Sequence, residues 1–286
     1  MSAARREALL PGWPSVPSVS PNLEWSLQPG IILALTGYLG IYLVRWRRVR
    51  REAGPKAASG WRLASFSTGI LMLVAALASP IDGLGEQLFV MHMAQHVLLG
   101  DLAAIFLLLG LTRVMLRPLT ARLQRVEKAL GPLGHPAFAV FFYAATLWIW
   151  HLPAMYQLGL ENPALHPLQH MSFAGAALLF WWHLLSPIRS RRRLGGMGVV
   201  FYILSAKILN GILASVITFA PAFLYDYYAR QPRYWGLSVT EDQAMAGALM
   251  MVEESVILTV AVAWLFVRML GESEREDQRA ERFGSE

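Results

Sequence analysis

Apolar residues gather in seven runs along the chain, separated by shorter polar or basic connections. The runs lie near residues 29–46, 61–79, 89–111, 136–152, 167–187, 197–220 and 243–268. A helix needs about 20 mostly apolar residues to cross the hydrocarbon core of a bilayer. The pattern therefore predicts an all-α integral membrane protein built as a bundle of seven transmembrane helices.

Composition agrees with a membrane setting, because only 15% of the 286 residues are charged, against roughly 25% in soluble domains. Residues 1–28 are rich in Pro, Ser and Trp and have no apolar core of a signal peptide. We expect them to form an extracytoplasmic segment, followed by a transmembrane domain over 29–270 and a charged cytoplasmic tail over 271–286. The tail is expected as a solvated helix end or a disordered terminus.

The distribution of basic residues predicts the orientation. Of the 25 Lys and Arg residues, 20 lie in the connections after the first, third and fifth runs or in the tail. Because positive residues are retained in the cytoplasm, the amino terminus is expected outside and the carboxyl terminus inside. The arginines lack an aromatic or glycine-rich recognition pattern, so the expected partner is the lipid bilayer and not nucleic acid.

Seven histidines occur, and four of them form two pairs with helical spacing at the mouths of apolar runs. His92 and His96 open the third run, and His166 and His170 open the fifth. Residues four apart share one face of a helix, so each pair presents two imidazoles to the same side. His151 ends the fourth run, and the predicted topology places all five histidines at the outer face.

A lone interfacial histidine is more often a helix cap or a hydrogen-bonding partner than a metal ligand. Five at one membrane level instead indicate a shared site, whereas His135 and His183 are expected near the cytoplasmic face. His170 is a stronger candidate than His166, because Pro167 disfavours helical geometry in the residue before it. His166 can equally be a helix cap.

The chain contains no cysteine, which excludes disulfides, thiolate zinc sites, iron–sulfur clusters and cysteine nucleophiles. A metal must then bind to His, Met, Asp, Glu or backbone groups. Imidazole and thioether ligands suit copper, and thioether favours Cu(I). Most of the 12 methionines are expected to be core filler, and Met93 and Met245 are the two candidate ligands.

Ionisable residues inside the apolar runs are costly and therefore functional candidates. They are Asp101 in the third run, Lys207 with Asn210 in the sixth, and Glu253 with Glu254 in the seventh. Lys207 paired with an acid such as Glu253 or Glu254 predicts a structural clamp, with a proton path or an ion route as the alternative. Thr240 and Gln243 have capping-box spacing at the start of the seventh run, around Asp242.

Four sequence motifs, in order, resemble the polytopic CtaG family of cytochrome c oxidase assembly factors over roughly residues 29–270. They are His92-Met93-x-Gln95-His96-x-Leu98-Leu99, Trp150-His151-Leu152-Pro153-x-x-Tyr156, His166-x-x-x-His170-x-x-Phe173 followed by Phe180-Trp181-Trp182, and Glu241-Asp242-Gln243-x-x-x-Gly247. The resemblance implies a role in assembling haem–copper oxidases of the caa type, by delivery of copper to the oxidase, in the inner (plasma) membrane of a bacterium. One departure is Gly100-Asp101, where the family is usually apolar.

The resemblance places the family's histidine motifs on His92, His96, His151, His166 and His170, and its Asp-Gln motif on Asp242 and Gln243. We expect a binding-and-transfer protein and no enzyme: copper arrives from a donor protein, is held by two to four of the histidines with Met93 or Met245, and passes to an oxidase subunit. Asp242 and Gln243 are expected to support the ligands, with Asp242 orienting an imidazole.

Two other functions remain open from the sequence, and two more are disfavoured. Histidines on facing helices are typical of haem-binding membrane proteins, and a membrane scaffold needs no metal. An intramembrane zinc hydrolase is disfavoured because the runs lack an H-E-x-x-H motif. A retinal-type receptor is disfavoured because Lys207 lies in the sixth run and not in the seventh.

Overall fold

The computed structural model describes residues 20–188, 192 and 194–283, and in this part every regular element is helical. The helices are α1 (Pro29–Ala53), α2 (Gly60–Leu77), α3 (Pro80–Gly85), α4 (Phe89–Val97), α5 (Ala103–Gly110), α6 (Arg113–Ala129), α7 (Pro136–Trp150), α8 (Pro153–Glu161), α9 (Leu165–Leu185), α10 (Met197–Phe219), α11 (Asp226–Ala229) and α12 (Val239–Phe283). A π-helical turn, Leu98–Leu102, joins α4 to α5, and a 3₁₀ turn, Gly131–Gly134, precedes α7.

Among the described residues, five helical stretches are long and apolar enough to cross a membrane. They are Pro29–Ala53, Gly60–Leu77, Phe89–Gly110, Met197–Phe219 and Val239–Trp264, and α7 with α8 makes a sixth if the pair is one span bent by 75°. The chain is thus an all-helical, multi-pass membrane protein. The count of seven spans and the orientation of the termini stay predictions.

The difference from seven spans lies in α7 and α9. Helix α9 has 21 residues at the predicted place, but His166, Gln169, His170 and His183 lower its mean hydropathy. Helix α7 has only 15 residues, because Pro153 holds Leu152 in an extended conformation and ends the helix. Both departures arise where polar or proline-containing motifs interrupt the apolar pattern.

Two helices extend beyond the apolar runs that predicted them. Helix α1 continues to Ala53, so the basic residues after position 46 extend the helix and do not form a loop. Helix α12 continues to Phe283, so the described part of the tail is helical. Most of the proposed amino-terminal segment lies outside the described residues. Its last part is anchored, because Ser26 N donates to the Ala78 carbonyl at 3.0 Å.

Close approach of helices at small residues shapes the bundle. A Cβ added to Gly247 of α12 would lie 2.4 Å from Thr218 Oγ1 and 2.6 Å from the Thr218 backbone nitrogen of α10. Gly110 approaches Phe66 of α2 in the same way, with 2.6 Å to its Cβ. Small residues bring membrane helices close enough for extensive van der Waals contact, and here they fix α10 on α12 and α5 on α2.

A π-helical turn at Leu98–Leu102 interrupts the third predicted span. Asp101 lies inside this turn and is 4% exposed. Its carboxylate accepts hydrogen bonds from Tyr143 Oη at 2.8 Å and Trp181 Nε1 at 2.7 Å. Turns of this kind are rare and often mark functional sites. The Gly100-Asp101 departure from the family pattern therefore coincides with a real distortion of the helix.

Candidate metal centre

The two histidine pairs lie together between α4 and α9. Within the pairs, the ring centroids are 4.3 Å apart for His92 and His96 and 4.4 Å apart for His166 and His170. Between the helices, the His170 ring lies 5.5 Å from His96 and 6.0 Å from His92. Helical periodicity predicted the shared face within each pair, and the predicted topology, which put both pairs at one membrane level, predicted that they meet.

Three of these histidines have the spacing of metal ligands. One ring nitrogen from each of His92, His96 and His170 lies within 4.8 Å of the other two. Imidazole nitrogens sit about 2 Å from a bound metal, so nitrogens that share an ion are separated by up to roughly 4 Å. Small side-chain rotations would bring the three onto one ion.

The imidazoles are buried without hydrogen-bond partners, within the part of the chain that is described. Both ring nitrogens of His92 and His96, Nε2 of His151 and His170, and Nδ1 of His166 lack a partner. Buried polar atoms are normally hydrogen-bonded, so a group of unbonded ones needs an explanation. A bound cation would satisfy these lone pairs, and the residues present fit a metal.

His151 is held in one tautomer at the edge of the group. Its Nδ1 donates to the Leu147 carbonyl at 2.8 Å, which leaves the lone pair on Nε2. The ring lies 6.3 Å from that of His96. Tyr225 Oη donates to the His151 carbonyl at 2.9 Å, and burial raises the pKa of Tyr225 and keeps this donor protonated.

His166 lies beside the triad and is not part of it. Its ring is 5.6 Å from His92. Helix α9 begins at Leu165, so His166 is already helical despite Pro167. Pro167 falls in the first turn, where a missing N–H removes no helical hydrogen bond. The ligand spacing favours His170 over His166, as predicted. The reason given for that preference was distorted geometry before Pro167, and the helical conformation of His166 does not support it.

The two candidate methionines have different surroundings. Met93 is fully buried and lines a cavity next to His96 and His151. Met245 is 47% exposed and faces away from the core, so its predicted place beside the histidines is wrong. The inward positions of α12 recur every four residues, at Asp242, Ala246 and Met250, and Met250 lines the same cavity as Met93. The four-residue spacing from Asp242 would have predicted that Met250 faces the core.

Asp242 caps the histidine helix and does not bond to an imidazole. Its two carboxylate oxygens accept the backbone N–H groups of Phe89 and Val90, each at 2.9 Å. These are the first two residues of α4, where N–H groups have no partner in the helix. The prediction that Asp242 orients a ring is thus corrected: it supports His92 and His96 through the backbone.

Gln243 also acts on the backbone and not on a ligand. Its Oε1 accepts the Leu224 N–H at 2.7 Å, and its Nε2 donates to the Ala222 carbonyl at 3.2 Å. Gln243 therefore holds the loop after α10. The capping box of α12 is formed by Ser238 and Glu241, with Ser238 N donating to Glu241 Oε2 at 2.8 Å, and not by the predicted Thr240 and Gln243.

Gln95 supports the histidine helix α4, although in the sequence it stands out only as part of the first motif. Its Nε2 donates to the Ala76 carbonyl and to Asp82 Oδ1, both at 2.8 Å. These bonds tie α4 to the end of α2 and to α3. Because Gln95 lies between the two ligand-bearing positions of α4, it fixes the rotation of that helix.

A second buried cluster surrounds Lys207. The Lys207 Nζ lies 2.6 Å from Asp101 Oδ2, 2.7 Å from Glu254 Oε2 and 3.8 Å from Glu253 Oε1. The predicted pairing of Lys207 with the α12 acids is present, and Asp101 joins it. One ammonium group thus faces three carboxylates in the membrane interior.

A cavity of about 50 Å³ is lined by residues of both the histidine group and the lysine cluster. Its walls include two imidazoles, two thioethers and three carboxylates. They belong to His96, His151, Met93, Met250, Asp101, Glu253 and Glu254.

Sequence comparison connects this geometry to known proteins. The profile of a family described as cytochrome c oxidase caa3 assembly factor (Caa3_CtaG) matches residues 40–272. An uncharacterised protein of Mycobacterium leprae is 22% identical over 271 residues, which cover 85% of this chain and 39% of the relative. An uncharacterised protein of Mycobacterium bovis is 24% identical over 237 residues, covering 77% of this chain and 34% of the relative. The chain spans less than two fifths of these relatives, and no solved structure matches it.

Proposed function

Because the chain belongs to the cytochrome c oxidase caa3 assembly factor family, we propose that it binds copper as a cargo and delivers it to an oxidase. The observation that carries the proposal is the triad of His92, His96 and His170, whose ring nitrogens lie within 4.8 Å of one another. The donor atoms of this triad are buried and have no other partner among the described residues.

The donor set favours copper in its reduced form. Imidazole nitrogens with thioether sulfur nearby suit Cu(I), and the chain has no cysteine with which to build a thiolate site. Small-molecule cofactor sites occupy about 300–1,000 Å³, whereas the cavity beside the histidines is about 50 Å³. This size favours a metal ion over the haem alternative.

An open ligand shell suits delivery. Four-ligand sites hold a metal structurally, whereas an unfilled position permits exchange. Three imidazoles with His166 and His151 at the edge offer such a shell, and an incoming ligand from an oxidase subunit can replace them one at a time. Copper enters from a donor protein at the extracytoplasmic face of the plasma membrane, and no catalytic turnover is required.

Copper analysis of the full chain in lipid nanodiscs tests the proposal. The wild type is compared with the double variant His92→Ala/His170→Ala under reducing conditions, by Cu(I) competition with a chromophoric chelator. The control is His135→Asn, because His135 Nδ1 accepts the Ala137 N–H as a helix cap and Asn preserves capping. We expect the double variant to lose the triad-bound Cu(I) and the control to retain it.

The host oxidase provides the second measurement. Its copper content is expected to fall in cells that carry the double variant and to remain at the wild-type level with His135→Asn. Unchanged Cu(I) binding together with a fully metallated oxidase would refute copper delivery. A Soret absorbance in the purified protein would instead support haem binding.

A further inference from the structure

The cavity between the two buried clusters has its own set of soft ligands. Of the residues that line it, Met93 is fully buried, Met250 is 6% exposed and His151 is 5% exposed. A volume of about 50 Å³ exceeds the roughly 15 Å³ that one water-sized particle requires. The space is thus large enough for one ion.

His151 supplies the observation that points to a ligand. Its Nδ1 is committed to the Leu147 carbonyl, so Nε2 carries a lone pair that accepts and cannot donate. This Nε2 is buried and has no partner in the described structure. The ring is also 6.3 Å from His96 and lies outside the triad. A buried lone pair on a cavity wall calls for a proton donor or a cation.

The charges around the cavity favour a cation. Asp101, Glu253 and Glu254 also line the cavity, and they share the ammonium group of Lys207. Lys207 supplies one positive charge for three carboxyl groups, so each carboxylate beyond the first adds a buried negative charge that a second cation would balance. The Lys207 ammonium already contacts Asp101 and Glu254, so the imidazole and thioether groups of the lining are left as the ligands of a second cation.

We propose that this cavity is a second binding position for a soft monovalent cation, Cu(I) in this setting. Its ligands are His151 Nε2 and the thioether sulfurs of Met93 and Met250, and the carboxylates of the lysine cluster balance its charge. Thioethers select Cu(I) over hard divalent ions. This inference rests on the proposed function, since the histidine triad supplies the ion.

His96 joins the two positions. It belongs to the triad and also lines the cavity. An ion held by His92, His96 and His170 can therefore pass to the inner position by exchanging its ligands singly, while His96 stays bound. The protein then holds two Cu(I) ions at different depths, one bound by nitrogen alone and one bound by nitrogen and sulfur.

The test uses Cu(I) titration and X-ray absorption spectroscopy of the full chain in nanodiscs. The wild type is expected to bind two equivalents and to show sulfur scattering from the inner ion. Met93→Leu/Met250→Leu keeps the packing volume, and we expect it to bind one equivalent and to lose the sulfur scattering. The control is Met251→Leu, because the Met251 sulfur already accepts a hydrogen bond from Thr218 at 3.5 Å. The control is expected to behave as the wild type.

Different outcomes overturn the two proposals. One equivalent with nitrogen-only scattering in the wild type refutes the inner position and leaves the triad intact, as does sulfur scattering that persists in Met93→Leu/Met250→Leu. Wild-type binding in His92→Ala/His170→Ala refutes the triad as the cargo site while the sulfur signal can remain. Size-exclusion profiles of all variants show whether they are folded, and His151→Gln provides a second arm, with loss of one equivalent expected.

Discussion

Replacing Asp242 with alanine removes the cap of the histidine helix, and its cost can be worked out from the structure. The carboxylate is fully buried and accepts the N–H groups of Phe89 and Val90, both at 2.9 Å. Hydrogen bonds to charged acceptors contribute about 1.5–3 kcal/mol each. Removal leaves two donors unpaired at the start of α4, so we expect Asp242→Ala to lower the free energy of unfolding by about 3–6 kcal/mol.

The same variant is expected to weaken Cu(I) binding, because α4 carries His92 and His96 within its first two turns. Stability is measured by equilibrium unfolding in mixed micelles, and binding by chelator competition. Glu241→Ala is the matched control, because Glu241 lies next in sequence and accepts the Ser238 N–H at the start of α12, so its loss leaves the cap of α4 unchanged. A loss of less than about 1 kcal/mol in Asp242→Ala would refute the capping argument.

Three further variants test the packing around the site. Gly247→Ala puts a methyl group against α10, and we expect it to lower the free energy of unfolding by about 1–3 kcal/mol. Gly175→Ala is the control, because an added methyl group there meets open space, and we expect it to cause no such loss. Lys207→Met leaves three carboxylates without their cation and is expected to cost about 3–5 kcal/mol, with partial recovery of the unfolding free energy on adding Asp101→Asn. Tyr225→Phe removes one hydrogen bond to the backbone of His151, and we expect the free energy of unfolding to fall by about 1 kcal/mol. An unchanged free energy of unfolding in any of the three variants would contradict the contacts described for that residue.

The parts of the site that follow local periodicity could be predicted from the sequence. Residues four apart share a helix face, so His92 with His96 and His166 with His170 were identified as pairs, and their positions at the ends of apolar runs brought them together with His151. The membrane bundle itself followed from the length of those runs. In these cases the residues that determine the structure lie within one helical turn or one apolar run of the chain.

The parts that failed depend on contacts between distant segments. Asp242 is the cap of α4 although it lies at the start of α12, and no local pattern states which helix it meets. Met245 was preferred to Met250 without regard to the inward face of α12. The π-helical turn at Asp101 follows from its contacts with Tyr143, Trp181 and Lys207, which come from three other helices.

The π-helical turn at Leu98–Leu102 also affects how relatives are to be aligned. A π turn holds one residue more than an α turn over nearly the same length, so every position after Leu102 is rotated by about 100° relative to a continuous α-helix. A relative without the turn has its second half in register with this chain only if one gap is placed between the histidine motif and Ala103. At 22–24% identity, an ungapped alignment through this span would pair lipid-facing residues of one protein with core-facing residues of the other.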